Sequence, residues 1–228
     1  MTNADIEAQE IIHLALSKAF PGVAIVGEEG QLPDKPPATC WYIDPIDGTG
    51  SFIEGLPTWG PTIGLVVDYK PVLGAFLLPR TGDFWCVKKG AGAWWDDRRL
   101  DFDSVPDDFN DHVLFAPSRF HTRAPRGWPG KIRSLGSIAA HLALVAGGAG
   151  TVAAIARWNP WDVACGILLI EEAGGVITDW HANPMAPLNR SDAVTWGSVT
   201  PFLAGAERAV ERLVQDAQEA RVHAKRYR

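Results

Sequence analysis

Two aspartates stand three residues apart in "YIDPIDGTGSF": Asp44 and Asp47, with Pro45-Ile46 between them and Gly48-Thr49 behind. Hard divalent cations take oxygen ligands, usually one or two carboxylates together with carbonyls, water and substrate phosphate. Asp44 and Asp47 can offer two carboxylates from opposite sides of a tight turn stiffened by the proline. The Ile46 carbonyl between them is a further oxygen. If a helix begins behind Gly48, its free amides form a phosphate cradle, and glycine lets the phosphate approach closely. Thr49 adds a hydroxyl able to bond a metal-held water. An ordinary Asp/Gly turn explains the same spacing, so this stretch alone leaves both readings open.

Further acids fall at the ends of predicted elements. Glu28-Glu29 closes the short apolar run "VAIVG", and acids at strand ends can converge on one edge of a sheet. Asp162 opens an apolar helix in "NPWDVACGILLIEEAGG". Aspartate is a favoured helix N-cap, yet Trp-Asp followed by small residues and Glu-Ala-Gly-Gly is more than capping requires. His141 falls inside another apolar run and reads as a satisfied core or rim histidine. No P-loop, H-E-x-x-H, G-x-S-x-G or zinc-type Cys/His spacing is present.

These residues need elements to position them. Residues 4–20 show helical spacing of apolar side chains, stopped by Pro21-Gly22. "VAIVG" and "CWYI" read as strands that deliver the acids. From Pro61, "PTIGLVVDY", "PVLGAFLLP", "DFWCVKKG" and "AGAWWDDRRL" read as an antiparallel meander separated by turn residues. "VLFAPS", "GVITDW" and "AVTWGS" read as strands. "SIAAHLALVAGGAG" and "PWDVACGILLIEEAG" read as buried helices closed by glycines. Residues 201–227 read as a final amphipathic helix. Strands in runs with helices between them predict an α+β fold rather than a repeating βαβ array.

The bulk composition narrows the function. The 228 residues carry 27 acids against 21 bases, a net charge of −6. That balance argues against a nucleic-acid polymer as partner. The basic tail, residues 221–228, reads as a solvated helix end. Three cysteines, at 40, 86 and 165, are too few and too widely spaced for a disulfide framework. They suit core positions in a reducing compartment. No leader precedes the chain and no apolar run is long enough to span a bilayer. A cytoplasmic protein with no membrane partner is the expectation.

Taken together, the acids resemble the signature of the inositol monophosphatase family, within the magnesium-dependent, lithium-sensitive phosphomonoesterases. That signature is an Asp, then Glu-Glu, then Asp-Pro-Ile/Leu-Asp-Gly/Ser-Thr, then Trp-Asp, then Gly-Gly. Here these are Asp5, Glu28-Glu29, residues 44–49, Trp161-Asp162 and Gly174-Gly175, in that order. "TNADIEAQ" and "KIRSLGSIAAHLALVAGGAG" match further family segments, and the resemblance runs from about Thr2 to about Gly205.

The resemblance implies a layered αβαβα sandwich of the inositol monophosphatase/fructose-1,6-bisphosphatase type. It is a single unit with an N-terminal α+β lobe over 1–115, carrying the large antiparallel sheet, and a C-terminal α/β lobe over 116–228. It implies two or three Mg2+ ions per subunit, held by Glu28, Asp44, the Ile46 carbonyl, Asp47 and Asp162. Glu28, Asp47, Thr49 and Asp5 are the catalytic set, with Thr49 orienting the water and Asp5 polarising Thr49. Gly48 and Thr49 hold phosphate, and Gly136 and Ser137 touch the alcohol. The implied reaction is direct attack of a metal-activated water on a small phosphorylated metabolite, in a homodimer.

Two departures temper this. The family normally carries an extra N-terminal helix and loop before the segment matching "TNAD". A chain beginning at Met1 leaves the third metal an open question, and it could uncover apolar surface on the first helix, which a dimer could cover. A truncated, non-catalytic binding or regulatory protein is the rival expectation. Inositol-specific members also carry a Glu seven residues before the Trp-Asp aspartate, where this chain has Ile155. "DGTGSF", with Ser51, resembles the histidinol-phosphate phosphatases. Those phosphatases usually carry Lys where this chain has Gly50, and Tyr-Asp rather than Trp161-Asp162, so histidinol phosphate or adenosine 3′,5′-bisphosphate are alternative substrates to inositol 1-phosphate and the subfamily stays open.

Overall fold

The structure, a computed structural model, describes residues 1–102, 108–120, 128–186, 188 and 200–226. The first helix, α1, is Asn3–Ala19. It starts behind Thr2, with Asp5 at the third position of its first turn. There, an acid complements the helix dipole. A seven-stranded sheet follows: β1 (Ala24–Gly27), β2 (Cys40–Asp47), β3 (Gly60–Val67), β4 (Lys70–Leu78), β5 (Asp83–Lys88), β6 (Gly92–Trp95) and β7 (Arg98–Arg99). The strands lie side by side in sequence order. β1 runs parallel to β2, and every later pair is antiparallel, so the predicted meander is observed. The short helix α2 (Thr49–Ile53) leaves the end of β2.

The second sheet is mixed and has five strands: β8 (Val113–Phe115), β9 (Lys131–Arg133), β10 (Val152–Ile155), β11 (Val176–Thr178) and β12 (Phe202–Gly205), in the order β11-β12-β10-β8-β9. Helices α3 (Ile138–Ala146) and α4 (Pro160–Glu172) lie between the two sheets, and α5 (Glu207–Arg226) covers the far face of the second. With α1 on the outer face of the first sheet, the layers run α, β, α, β, α. The fold is an α+β sandwich, as expected.

β2 shows how the layers form. Its residues alternate faces, as any strand does. Trp41 and Ile43 pack with Leu16 of α1, while Cys40 and Tyr42 join the large core around α3 and α4. α4 sits close to the first sheet because two of its contacts are glycines. A Cβ added at Gly64 would lie 2.6 Å from the Ala164 methyl, and one at Gly74 would lie 2.9 Å from Cys165 Sγ. That close approach sets the start of α4 beside the end of β2. On its outer side α1 leaves Ile11 and Leu14 in the open, 70% and 72% exposed.

Several expectations need correction. The final helix does not begin at Pro201. Phe202–Gly205 is β12, fully buried between β10 and β11, and the helix starts at Glu207. A short apolar run is compatible with either period, and sheet pairing decided this one. β9 and β10 were not foreseen. β9 is a polar, exposed edge, and β10 is built partly from alanines, which have little strand preference. β8 belongs to the second sheet although it precedes the expected lobe boundary at 115. The strand expected at "AVTWGS" lies outside the described residues. No helix among the described residues is long and apolar enough to cross a membrane.

Candidate metal centre

Asp44 and Asp47 do not flank a turn, as the sequence suggested. Both belong to β2, which continues through the proline. In a regular strand, residues three apart point to opposite faces. Here Asp44 pairs with Thr62 and Asp47 with Gly60, so three steps along β2 match two along β3. This is a bulge, and its extra residue turns Asp47 to the same side as Asp44. The bulge is pinned from within: the Ile46 N–H donates to Asp44 Oδ1 at 2.9 Å.

Asp162 reaches the same place from α4. It is not the N-cap, so the plain capping explanation of this acid does not hold. Asn159 is the N-cap, Pro160 opens the helix, and Asp162 is the third residue of the first turn. Its Oδ2 accepts the Asn159 N–H at 2.6 Å. The three aspartates each bring a carboxylate oxygen to one place, all within 4.8 Å of one another. All three side chains are buried. Glu28, the residue that follows β1, bonds Asp44 through its carboxyl.

Crowding of anions away from water sets the electrostatics. Burial, then the charges of Asp47, Glu28 and Asp162, hold the Asp44 carboxyl well above the usual range. Asp162 is likewise raised well above it, by burial and then by Asp47. Burial raises Glu28, with the Asp44 hydrogen bond opposing. Asp47 is pushed up to about 6 by burial and restrained by its hydrogen bonds. The Ser137 hydroxyl donates to Asp47 Oδ2 at 2.5 Å, and the Ala139 N–H donates to the same oxygen at 2.6 Å. Among the described residues, no ion pair involves these four acids. Oxygen-only donors that repel one another in a buried site suit a hard divalent cation.

The remaining predicted residues are close by but play separate parts. Thr49 opens α2, and its hydroxyl lies 3.2 Å from the Ile46 carbonyl and 3.5 Å from Asp5 Oδ1. Asp5 is fully buried, and its other oxygen accepts the Thr2 N–H at 2.5 Å and the Thr2 hydroxyl at 2.7 Å. Gly48 turns the chain from β2 into α2 with φ +93°, a left-handed conformation that suits glycine. Gly136 is exposed and abuts Ser51.

Ser137 was expected at the substrate alcohol. Its hydroxyl is instead buried, donating to Asp47 and accepting the Ala140 N–H at 2.9 Å as the cap of α3.

Three further groups support the site, of which His141 was expected as a core histidine and the other two were not anticipated. The Leu135 carbonyl accepts both the Ser51 hydroxyl at 2.8 Å and the Thr58 hydroxyl at 2.7 Å, tying the loop before α3 to α2 and to the segment between α2 and β3. His141 Nε2 accepts the Leu135 N–H at 2.9 Å, and burial pushes its imidazole down to about 4. It is a satisfied core histidine. Gln9 bonds the backbone of Glu29. The patterns Thr2-x-x-Asp5 and Asn159-Pro160-x-Asp162 were readable as capping boxes. Nothing local marks Ser51, Thr58 or Ser137 as site supports.

Comparison with known proteins agrees with this geometry. A model described as the inositol monophosphatase family matches residues 1–221. The chain belongs to the inositol monophosphatase family. Membership makes it a phosphoric monoester hydrolase. Among curated relatives of this family, a histidinol-phosphatase of Chlorobaculum parvum is 32% identical over 189 residues, covering 79% of this chain and 73% of that protein. A fructose-1,6-bisphosphatase/inositol-1-monophosphatase of Thermotoga maritima is 33% identical over 190 residues, covering 79% and 71%. Among solved structures, an IMPase of Thermotoga maritima superposes with a TM-score of 0.82 at 27% identity, covering 98% of this chain and 85% of that one.

Proposed function

We propose that this inositol monophosphatase family member is a magnesium-dependent phosphomonoesterase acting on a small phosphorylated alcohol, sugar or nucleotide. The observation that carries the reading is the meeting of Asp44, Asp47 and Asp162, from a bulged strand and a closely packed helix, with their oxygens within 4.8 Å. Glu28 completes the acid set from β1. Two or three magnesium ions held by these residues and the Ile46 carbonyl would neutralise phosphate charge and activate water.

The side chains do the rest by positioning. Phosphoryl transfer depends on in-line geometry and charge stabilisation more than on covalent help. Asp5 and the Ile46 carbonyl orient the Thr49 hydroxyl, leaving its lone pairs to accept a hydrogen from the attacking water. Glu28, whose carboxyl faces Asp44, would help to hold the attacking water beside the ions. The amides of Gly48 and Thr49 receive the phosphate oxygens. The open surface at Gly136 borders the alcohol. Ser137 and the start of α3 hold Asp47 in place.

Substrate choice within this reading leans away from inositol 1-phosphate. Ile155 is buried in the core and offers a ring hydroxyl no polar atom. Histidinol phosphate and adenosine 3′,5′-bisphosphate come first, the former also favoured by the Chlorobaculum parvum relative. A lithium-sensitive cytoplasmic homodimer, with the apolar face of α1 covered, belongs to the same reading.

The test is phosphate release from histidinol phosphate, adenosine 3′,5′-bisphosphate, inositol 1-phosphate, fructose 1,6-bisphosphate and glycerol 2-phosphate. Each is run with magnesium, with EDTA and with added lithium. Release from at least one ester that EDTA abolishes is expected. Folded protein that is silent on all five would sink the proposal.

A further inference from the structure

α1 reaches the site twice, one helical turn apart. Asp5 meets Thr49, and Gln9, four residues on and therefore on the same face, meets Glu29. The Gln9 contact is two-pronged. Oε1 accepts the Glu29 N–H at 3.0 Å, and Nε2 donates to the Glu29 carbonyl at 2.5 Å. A side-chain amide used this way copies the bonds a neighbouring strand would give.

It does so where the sheet runs out. β1 ends at Gly27, and Glu28 donates its N–H to the Ile43 carbonyl at 3.0 Å. Past that point Gln9 holds the backbone of Glu29. The amide also fills the space beside Gly27. A Cβ added there would lie 2.1 Å from Gln9 Oε1. The φ of Gly27 is not in the left-handed region, so it is the amide, not the backbone, that excludes a side chain.

We propose that Gln9 is a positioning residue for Glu28. By fixing the peptide on the C-terminal side of Glu28, it sets how that carboxyl meets Asp44. It thereby sets how strongly the acids hold their cation. The inference rests on the metal-dependent reading above.

Gln9→Ala removes both hydrogen bonds from a half-buried helix position that alanine suits. Gly27→Ala attacks the same contact from the other side. The double variant restores room for the new methyl group and leaves the contact absent. Each protein is stripped with EDTA and titrated with magnesium chloride alone, following the rise in Tm; kcat and KM are then measured at saturating magnesium.

Outer partners of metal ligands typically matter by about 10–100-fold in metal affinity or activity. The magnesium concentration at half-maximal Tm rise should move up by at least about tenfold in both single variants. kcat should fall with KM little changed, and the double variant should resemble Gln9→Ala.

A lower metal-free Tm with the magnesium midpoint and kcat at wild-type values would mean that Gln9 only braces α1, and would overturn the inference. If the wild-type protein shows no magnesium-dependent rise in Tm, the metal-dependent reading falls and this inference falls with it. A wild-type rise matched by all three variants overturns the inference alone.

Discussion

α1 and α4 begin the same way and serve the site differently. Each carries an aspartate at the third position of its first turn, with one oxygen turned back to the N-cap residue. Asp5 Oδ2 bonds Thr2, and Asp162 Oδ2 bonds Asn159. In both, the cap engages one oxygen and frees the carboxylate's other side for the site. Asp5 then meets a neutral hydroxyl, that of Thr49, whereas Asp162 meets the anions of Asp44 and Asp47. A local capping rule sets where an acid sits. Its neighbours across the fold decide whether it faces a hydroxyl donor or a cluster of other carboxylates.

The largest test of this contrast is Asp162→Asn. Asparagine keeps an acceptor for the Asn159 N–H but removes the charge. Activity should fall by more than about 100-fold, beyond what outer partners of a metal site contribute. The metal-free Tm near pH 8 should rise, because one of several mutually repelling buried anions is gone. An active Asp162→Asn enzyme would end the metal-ligand assignment.

Next is the pH dependence of the metal-free protein. Asp44, Asp47 and Asp162 are all raised in the fold, Asp47 to about 6, with burial the first cause in each. Between the ordinary carboxylate range and those raised values, the folded chain binds more protons than the unfolded chain. Stability therefore falls as pH rises through that window. With EDTA present, Tm should be higher at about pH 5 than at about pH 8, and added magnesium should close the gap from the alkaline side. Equal Tm values at the two pH values in EDTA would contradict the buried-anion account.

Asp5→Asn should do less. With its oxygen kept on the Thr2 N–H, the amide puts an NH2 donor where Asp5 Oδ1 accepted from Thr49. A loss of kcat of about tenfold is expected, with Tm nearly unchanged. Thr49→Val should cost a similar factor, and the pair should not add, because they act through one contact. Full additivity in the double variant would separate Asp5 from Thr49.

The smallest effect belongs to Thr2→Ala, which removes the 2.7 Å hydroxyl bond and leaves the backbone bond to Asp5. A stability loss of about 1 kcal/mol in denaturant melts, with kcat unchanged, is expected. A kcat loss as large as that of Asp5→Asn would show that the cap itself positions the acid.

Much of the site was legible because its acids sit in short motifs at the ends of apolar runs. The first sheet was legible because its strands are separated by tight turns such as Lys89-Gly90 and Asp96-Asp97. The bulge at Pro45-Ile46 was not, because it exists only relative to the register of β3. The start of α4 at Pro160 was legible, since proline suits the first helical position, and that puts Asp162 three residues into the helix. β12 was absorbed into the final helix, since "FLAGA" carries no periodicity of its own. Ser137 changed its expected role because its partner, Asp47, comes from a distant part of the chain, where no local pattern points.

That distance has a kinetic consequence. The hydrogen bond from Ser137 to Asp47 joins residues 90 apart, whereas the meander of the first sheet is built from neighbours in sequence. Contacts between near neighbours close early in folding, and distant ones must first overcome a larger loop entropy. A chain leaving the ribosome carries Asp44 and Asp47 well before α3 and α4 exist to restrain and complete them. In refolding from denaturant, burial of Trp41 and Trp85 in the first sheet should precede the return of phosphatase activity. The capacity for chemistry is then expected late in assembly, after the first sheet has formed.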